Sequence, residues 1–217
     1  IKKINIIGNE IFTDEELLDS FELSEGSFFS FLSNNNQYSR EKLVGDIETL
    51  ESYYRDRGYL KFSIESSQVS ISRDRSSIYV TYLITEGPKY NISEVKIVGD
   101  LPIEESLIEP LLDSQKNTTY SQAQITQIES IITSLLGNQG YAFASVTGQP
   151  EINEQLLNVN LNFIVDPGKR TYARKILFEG NELTQDGVLR REMRQFEGAW
   201  ASDDKIEQSK IRLERLG

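Results

Sequence analysis

The chain begins with IKKINIIGN at residues 1–9, and the pattern returns as ISEVKIVGD at residues 92–100 and ARKILFEGN at residues 173–181. In each copy, apolar residues recur at short spacing before a glycine, which predicts a short β-strand that ends in a turn. The copies recur at the spacing of a small domain, which is longer than a solenoid repeat. The sequence therefore predicts an array of three related repeats.

Downstream of the first strand the apolar period changes from 2 to 3.6, which predicts two helices in the first repeat. Thr13 and Glu16 have the spacing of a capping box and mark the start of the first helix. Ser39 is the predicted N-cap of the second helix, which ends before Gly58.

The second repeat follows the same plan, with Ser121 and Gln124 as the predicted capping box of its second helix. That helix ends before Gly140. Pro110 lies where the first helix is expected, and a proline removes a helical hydrogen bond, so we expect this helix to be short or kinked. Ser202 is the predicted cap of the corresponding second helix in the third repeat.

The period returns to 2 after each of the first two helix pairs. Two strands are predicted from Phe62 to Ile71 and from Ile78 to Ile84 in the first repeat, and at 141–152 and 156–165 in the second. The predicted fold class is therefore α+β, with tandem β-α-α-β-β units.

We expect the domains to span residues 1–90, 91–169 and 170–217. The linkers between them are short and contain proline, which favours limited hinging over free tumbling. The third domain lacks the last two strands, so we expect a truncated copy that does not close the same sheet. Because the chain starts at Ile1 without methionine, we interpret it as a segment of a longer protein.

Composition excludes several classes of function. The net charge of −11 argues against nucleic acid as a partner, since phosphate binding depends on basic residues. With no Cys and no His, the chain offers neither the usual zinc ligands nor a Ser-His or Cys-His pair. No apolar run reaches the roughly 20 residues of a membrane span. We therefore expect no metal, no cofactor and no membrane span in this segment.

Adjacent carboxylates at Glu15-Glu16, Glu104-Glu105 and Asp203-Asp204 could indicate a glycosidase. They stand at predicted helix starts, where acids complement the helix dipole. We therefore predict no catalytic residue and no enzyme activity.

Several short sequence motifs resemble those of a known family: GDIETL at 45–50, SYY at 52–54, DRGY at 56–59, ITEG at 84–87, RREMRQ at 190–195 and EGAW at 197–200. Together with the β-α-α-β-β order, they resemble the POTRA (polypeptide-transport-associated) domains of outer-membrane biogenesis proteins. Within that family, the three repeats resemble the third, fourth and fifth domains of the branch that assembles outer-membrane proteins. The phenylalanine- and asparagine-rich loop at 27–37 departs from the family pattern, so contacts of that loop are not carried over.

The resemblance implies three-stranded mixed sheets, each packed against two helices. It also implies the periplasmic portion of an outer-membrane protein, whose own carboxy-terminal β-barrel is absent from this segment. The implied partners are accessory lipoproteins of an assembly complex and unfolded outer-membrane protein clients.

The resemblance places the strand after the second helix at a sheet edge, where unpaired N–H and C=O groups can accept another strand. Val69, Ser70 and Ile71 lie on this strand and are the predicted contacts of clients and of a propeller-shaped lipoprotein. The alternative is an ordinary hairpin in which Val69 and Ile71 point inward.

In the third repeat, charges at helical spacing include Arg190, Arg194 and Glu197. The resemblance makes these residues the contact with a second accessory lipoprotein, with Glu197 accepting hydrogen bonds from a partner arginine. The alternative is a solvated helix face.

Two other functions remain open at this point. One is a POTRA array from a related secretion or autotransporter-assembly protein, although the RREMRQ motif at 190–195 argues against it. The other is a carboxylate-dependent carbohydrate-binding or hydrolytic domain, which would need a concave acidic site.

Overall fold

The structure is a computed structural model that describes residues 3–19, 36–73, 78–182 and 184–216. The first repeat contains β1 (Lys3–Ile7), α1 (Asp14–Leu18), α2 (Asn36–Arg55), β2 (Ser63–Ile71) and β3 (Ile78–Thr85). The second contains β4 (Asn91–Gly99), a 3-10 turn (Glu105–Leu107), α3 (Glu109–Asp113), α4 (Gln122–Asn138), β5 (Ser145–Asn153) and β6 (Asn158–Asp166). The third contains α5 (Asp186–Glu192) and α6 (Asp203–Glu214).

The described strands form two three-stranded sheets with the orders β1-β3-β2 and β4-β6-β5. In the first sheet, β1 runs parallel to β3 and β2 runs antiparallel to it. The predicted α+β fold with a mixed sheet is confirmed. The strand after the second helix lies at the edge of each sheet, as the resemblance implied.

One face of the first sheet carries the core. Ile4 and Ile6 of β1 pair in register with Val80 and Tyr82 of β3, and all four side chains are buried. Leu17, Leu50 and Tyr54 of the helices are also buried in this cluster. Burial of apolar surface at about 25 cal/mol per Å² is the main favourable term for such a core.

Tyrosines form part of this core rather than a ligand cage. Tyr54 is fully buried, stacks on Phe62 at 4.2 Å and makes an edge contact with Tyr59 at 5.8 Å. Burial, followed by the hydrogen bond to Glu86, raises the pKa of Tyr54 far above its ordinary value. These tyrosines therefore serve as core packing.

Of the four predicted helix caps, three are confirmed and one is wrong; Ser121 accepts from the N–H of Gln124 at the start of α4. Thr13 and Glu16 make both hydrogen bonds of the capping box, and Ser202 accepts from the N–H of Lys205. Helix α2 begins at Asn36, so Ser39 lies inside the helix and is not its cap. Of the loop singled out at 27–37, only Asn36 and Gln37 are described, and both are helical; the remainder lies outside the described residues.

Pro110 stands in the first turn of α3, a helix of five residues that follows a break at Ile108. A proline is tolerated there because first-turn N–H groups have no helical partner. The expected short helix is confirmed.

Residues 173–178 form no strand, although their pattern predicts one. A strand needs a neighbour, and beside its two helices the described part of the third repeat has only an isolated antiparallel bridge between Tyr172 and Trp200. The turn after this stretch nevertheless repeats the first. Asn181 donates to the Thr184 carbonyl and the Asp186 carboxylate, as Asn9 does to Phe12 and Asp14.

The chain divides into two compact units. One comprises Ile1–Ile92, Asn117–Gln124 and Ile152–Val159; the other comprises Ser93–Lys116, Ile125–Glu151 and Asn160–Gly217. The first compact unit thus contains parts of two sequence repeats. None of the described helices is both long and apolar enough to cross a bilayer.

Candidate functional site

Strand β2 is one of the two edge strands of the first sheet. It pairs with β3 from Ser63 to Ile71, with a register shift between Ile64 and Ser66 that marks a β-bulge. Beyond the bulge, the pairing is regular from Ser67 to Ile71. Among the described strands, β3 is the only neighbour of β2, so its outer edge carries unpaired backbone groups.

Val69 and Ile71 are apolar and exposed at this edge. Val69 pairs with the buried Val80, and Ile71 pairs with Ile78, so both lie on the side of the sheet that carries the core. Their side chains nonetheless remain 46% and 63% exposed. Both side chains therefore lie on the inward face, as in the hairpin alternative, and are still largely exposed there. Ser70 alternates to the opposite face.

The second predicted group of site residues is not on one helix. Helix α5 ends at Glu192, and Met193 has an extended backbone. The side chain of Ser209 on α6 accepts hydrogen bonds from the N–H groups of Arg194 and Gln195. These bonds hold the chain away from helical geometry, so the predicted helical spacing from Arg190 to Glu197 is wrong.

Folding still brings Arg190 and Glu197 together. Arg190 Nη1 lies 3.2 Å from Glu197 Oε1, and the same oxygen accepts from the N–H of Ile176 at 2.9 Å. Arg190 Nη2 donates to the Ile176 carbonyl at 3.1 Å. The two side chains thus satisfy the backbone groups of Ile176, which has no strand neighbour within the described part of the chain.

The Ile176 N–H, and after it the Arg190 guanidinium, lower the pKa of Glu197 below its ordinary value. Both hydrogen bonds fall on Oε1, so within the described residues Oε2 keeps its acceptor capacity. Arg194 is not part of this pair; its guanidinium donates to the carbonyls of Met193 and Arg191. The exposed rings of Phe196 and Trp200 lie nearby in sequence.

Side-chain hydrogen bonds at the repeat junctions were not predicted from the sequence. In the first compact unit, Asp56 follows α2 and its Oδ1 accepts from the N–H of Ala123 at 2.7 Å, in the first turn of α4. In the second compact unit, Asn138 ends α4 and its Oδ1 accepts from the N–H of Asp204 at 2.8 Å, in the first turn of α6. The end of one repeat's second helix therefore caps the second helix of the next.

Backbone hydrogen bonds accompany each cap. The Gly58 carbonyl accepts from the N–H of Tyr90 at 2.9 Å, and the Gly140 carbonyl accepts from the N–H of Thr171 at 2.7 Å. Asp56 and Asn138 each stand two residues before these glycines. Aligning the two repeats on the glycines therefore places the two capping residues at the same position.

We expect Asp56→Ala to lower the free energy of unfolding by about 1 kcal/mol, the usual loss when a helix cap is removed. Asp56→Asn is the matched control, since Asn138 provides the same acceptor at the other junction. Urea unfolding, together with amide exchange at Ala123, measures both effects. Equal destabilisation by the two substitutions would contradict the capping role.

The described residues contain no group of three or more acidic residues that could hold a metal ion. The acid pair Asp203-Asp204 stands in the first turn of α6, and Glu15-Glu16 stands in the first turn of α1, as expected for helix-dipole partners.

The family described as POTRA, surface antigen variable number repeat, matches residues 1–87, 90–168 and 171–217. The chain belongs to this family. Its repeats are similar to the third, fourth and fifth POTRA domains of the outer membrane protein assembly factor BamA. The crystal structure of Haemophilus influenzae BamA POTRA3-5 has a TM-score of 0.82 and 30% identity, covering 99% of this chain and 84% of that chain.

Curated BamA sequences support the same assignment. The protein from Neisseria meningitidis is 30% identical over 100% of this chain, and that from Buchnera aphidicola is 33% identical over 99%. The chain spans 27% and 35% of these relatives' lengths. POTRA domains of this type lie in the periplasm as part of an outer-membrane protein, and that is the location of this segment.

Proposed function

We propose that this segment acts as a periplasmic scaffold of the outer-membrane β-barrel assembly machinery. It binds accessory lipoproteins and unfolded outer-membrane protein precursors, and it performs no chemistry of its own. The BamA relatives carry the assembly function in their name, which supports this assignment over a secretion or autotransporter-assembly array. The domain division at 1–90, 91–169 and 170–217 belongs to the same proposal, with the family matches in its support.

The open edge of β2 is the observation that carries the proposal. Extended partners gain affinity from main-chain hydrogen bonds and only modest selectivity from side chains, which suits a scaffold with varied clients. Val69 and Ile71 present exposed apolar surface beside that edge, and Ser70 lies between them. An added strand would bury this surface as well as pair the backbone.

The pair of Arg190 and Glu197 is the proposed contact for a second accessory lipoprotein. A partner arginine can bind Glu197 at Oε2 without displacing Arg190, since the internal hydrogen bonds use Oε1. Arg194 stands two residues beyond the end of α5 and adds a positive charge to the same proposed surface. The exposed Phe196 and Trp200 supply apolar area of the kind found in interface centres.

We expect Ile71→Lys to weaken binding of an extended barrel-strand peptide by about tenfold, because burying an isoleucine side chain under the added strand contributes roughly 1.5–3 kcal/mol. Leu156→Lys is the matched control, since Leu156 is 69% exposed in the loop between β5 and β6 and is not part of the first sheet. A titration that follows the backbone amide signals of β2 gives the affinities. Equal affinities for the two variants would contradict binding at this edge.

The same titration with purified accessory lipoproteins tests the second contact. Glu197→Gln removes the charge, keeps one acceptor oxygen for the internal hydrogen bonds and replaces the other oxygen by an NH2 group. Glu197→Lys reverses the charge. A graded loss of binding in that order supports the charge-assisted contact. Unchanged binding by the Lys variant would remove Glu197 from the proposal.

A further inference from the structure

The second sheet offers a comparable edge at β5. Its order is β4-β6-β5, so β5 stands where β2 stands in the first sheet. Both strands follow the second helix of their repeat and both have nine residues. On topology alone, a partner strand could add to either edge.

A carboxylate from the neighbouring helix already occupies the β5 edge. Glu129 lies on α4, and its Oε1 accepts from the N–H of Gly148 at 2.5 Å. This N–H is therefore directed to the helix rather than to β6. A partner strand cannot use it without displacing the carboxylate.

Gly148 allows the helix to come this close. An added Cβ at this position would lie 2.5 Å from Ile125 Cγ2 and 3.2 Å from Glu129 Oε1. Side chains larger than glycine would therefore push α4 away from the strand and break the contact.

The next donor position on the same edge is missing. Alternate residues of a strand direct their N–H groups to the same side, so position 150 shares the edge of Gly148. Position 150 is a proline, which has no N–H. Two successive outward donor positions of β5 are thus unavailable, one through Glu129 and one through Pro150.

The first repeat lacks both features at the matching positions. Counted from Gly58 and Gly140, Ile47 corresponds to Glu129, and Gln68 corresponds to Pro150. An isoleucine cannot accept a hydrogen bond, and Gln68 keeps its backbone donor. Ser66, which corresponds to Gly148, pairs in register with Leu83 of β3.

We propose that Glu129 and Pro150 close the β5 edge, so that an extended segment of a partner chain adds to β2 and not to β5. The proposal rests on the proposed function, since it names the residues that restrict strand addition to one sheet. Charges and prolines at edges are general means of preventing unwanted strand pairing.

The test is hydrogen exchange of the whole 217-residue chain with and without an excess of an extended barrel-strand peptide. In the unsubstituted protein, we expect the peptide to slow exchange in β2 and to leave β5 unchanged. In the double variant Glu129→Ala/Pro150→Thr, we expect the β5 amides to exchange about tenfold more slowly with peptide, as in strand addition. Glu129→Gln with Pro150 retained keeps an acceptor for Gly148 and is expected to remain closed.

Protection of β5 in the unsubstituted protein would overturn the closure, and so would a folded double variant whose β5 gains no protection. If the peptide does not protect β2, the proposed function is contradicted. Closure of the β5 edge is judged separately, and it is still supported if the peptide protects β5 in the double variant. If the double variant does not fold, the single variant Glu129→Ala tests the closure through hydrogen exchange at Gly148. Exchange at Gly148 should then rise about tenfold without peptide, since its acceptor is gone, and unchanged exchange would overturn the proposal.

Discussion

We expect Gly8→Ala to lower the free energy of unfolding by about 3 kcal/mol, the sum of a left-handed backbone cost and an overpacking cost. Gly8 has φ of +100°, and a Cβ there would lie 2.2 Å from the carbonyl oxygen of Ile84. The clash falls on the backbone of the central strand, which cannot move without disturbing both of its neighbours. Urea unfolding followed by the amide signals of β3 gives the change.

Gly45→Ala in the same repeat is the matched control. Gly45 lies inside α2, and an added Cβ would meet no atom within 4 Å. Alanine in place of a helical glycine stabilises a helix by about 0.5–1 kcal/mol. Opposite signs for the two substitutions are therefore expected, and a neutral Gly8→Ala would show that the turn after β1 does not depend on close approach to β3.

The second large effect is expected for Glu86→Ala, with a loss of about 3 kcal/mol. The substitution leaves one buried and two part-buried donors without their acceptor, and a buried donor alone costs roughly 1–3 kcal/mol. Glu86 follows β3 and is buried. It accepts from the N–H groups of Glu10 and Ile11 and from the hydroxyl of Tyr54 at 2.7 Å. One carboxylate thus joins the turn after β1 to helix α2.

Tyr54→Phe separates the contributions at this site. It removes one donor and leaves both backbone hydrogen bonds to Glu86 in place, so we expect a loss of about 1 kcal/mol. Thermal and urea unfolding of the two variants provide the comparison. A loss for Glu86→Ala no larger than that for Tyr54→Phe would contradict the role of the two backbone donors.

Local signals in the sequence predicted much of the fold. The strand-glycine pattern identified the repeats, and in the first two it marks a close approach to the central strand. Gly99 stands against the Val165 carbonyl as Gly8 stands against that of Ile84. The caps at Thr13 and Ser202 depend on residues within one turn, so their spacing was sufficient.

Features that depend on distant residues were not predictable in the same way. The end of α5 at Glu192 depends on Ser209, which takes the N–H groups of Arg194 and Gln195 from another helix. The strand pattern at 173–178 needs a neighbouring strand, and pattern alone cannot supply one.

The candidate site likewise combines features that the sequence predicts with features that depend on distant residues. The edge position of β2 follows from chain order in the family, whereas the exposure of Val69 and Ile71 depends on which residues cover that face. The Arg190–Glu197 pair forms although the two residues do not share a helix. The hydrogen bond from Gly148 to Glu129 joins a strand to a helix, so the distinction between the two edges required the structure.

Backbone protection at β2 tests the central claim most directly. An extended peptide that adds as a strand should slow hydrogen exchange at alternate amides between Ser67 and Ile71, since only every second N–H faces the open edge. The variants Gln68→Pro and Val69→Pro should differ in how much protection the peptide gives, because only one of these adjacent positions supplies an outward N–H donor. Alternating protection that one of the two prolines abolishes in a folded protein is the predicted result. No protection in β2 at saturating peptide would contradict the account.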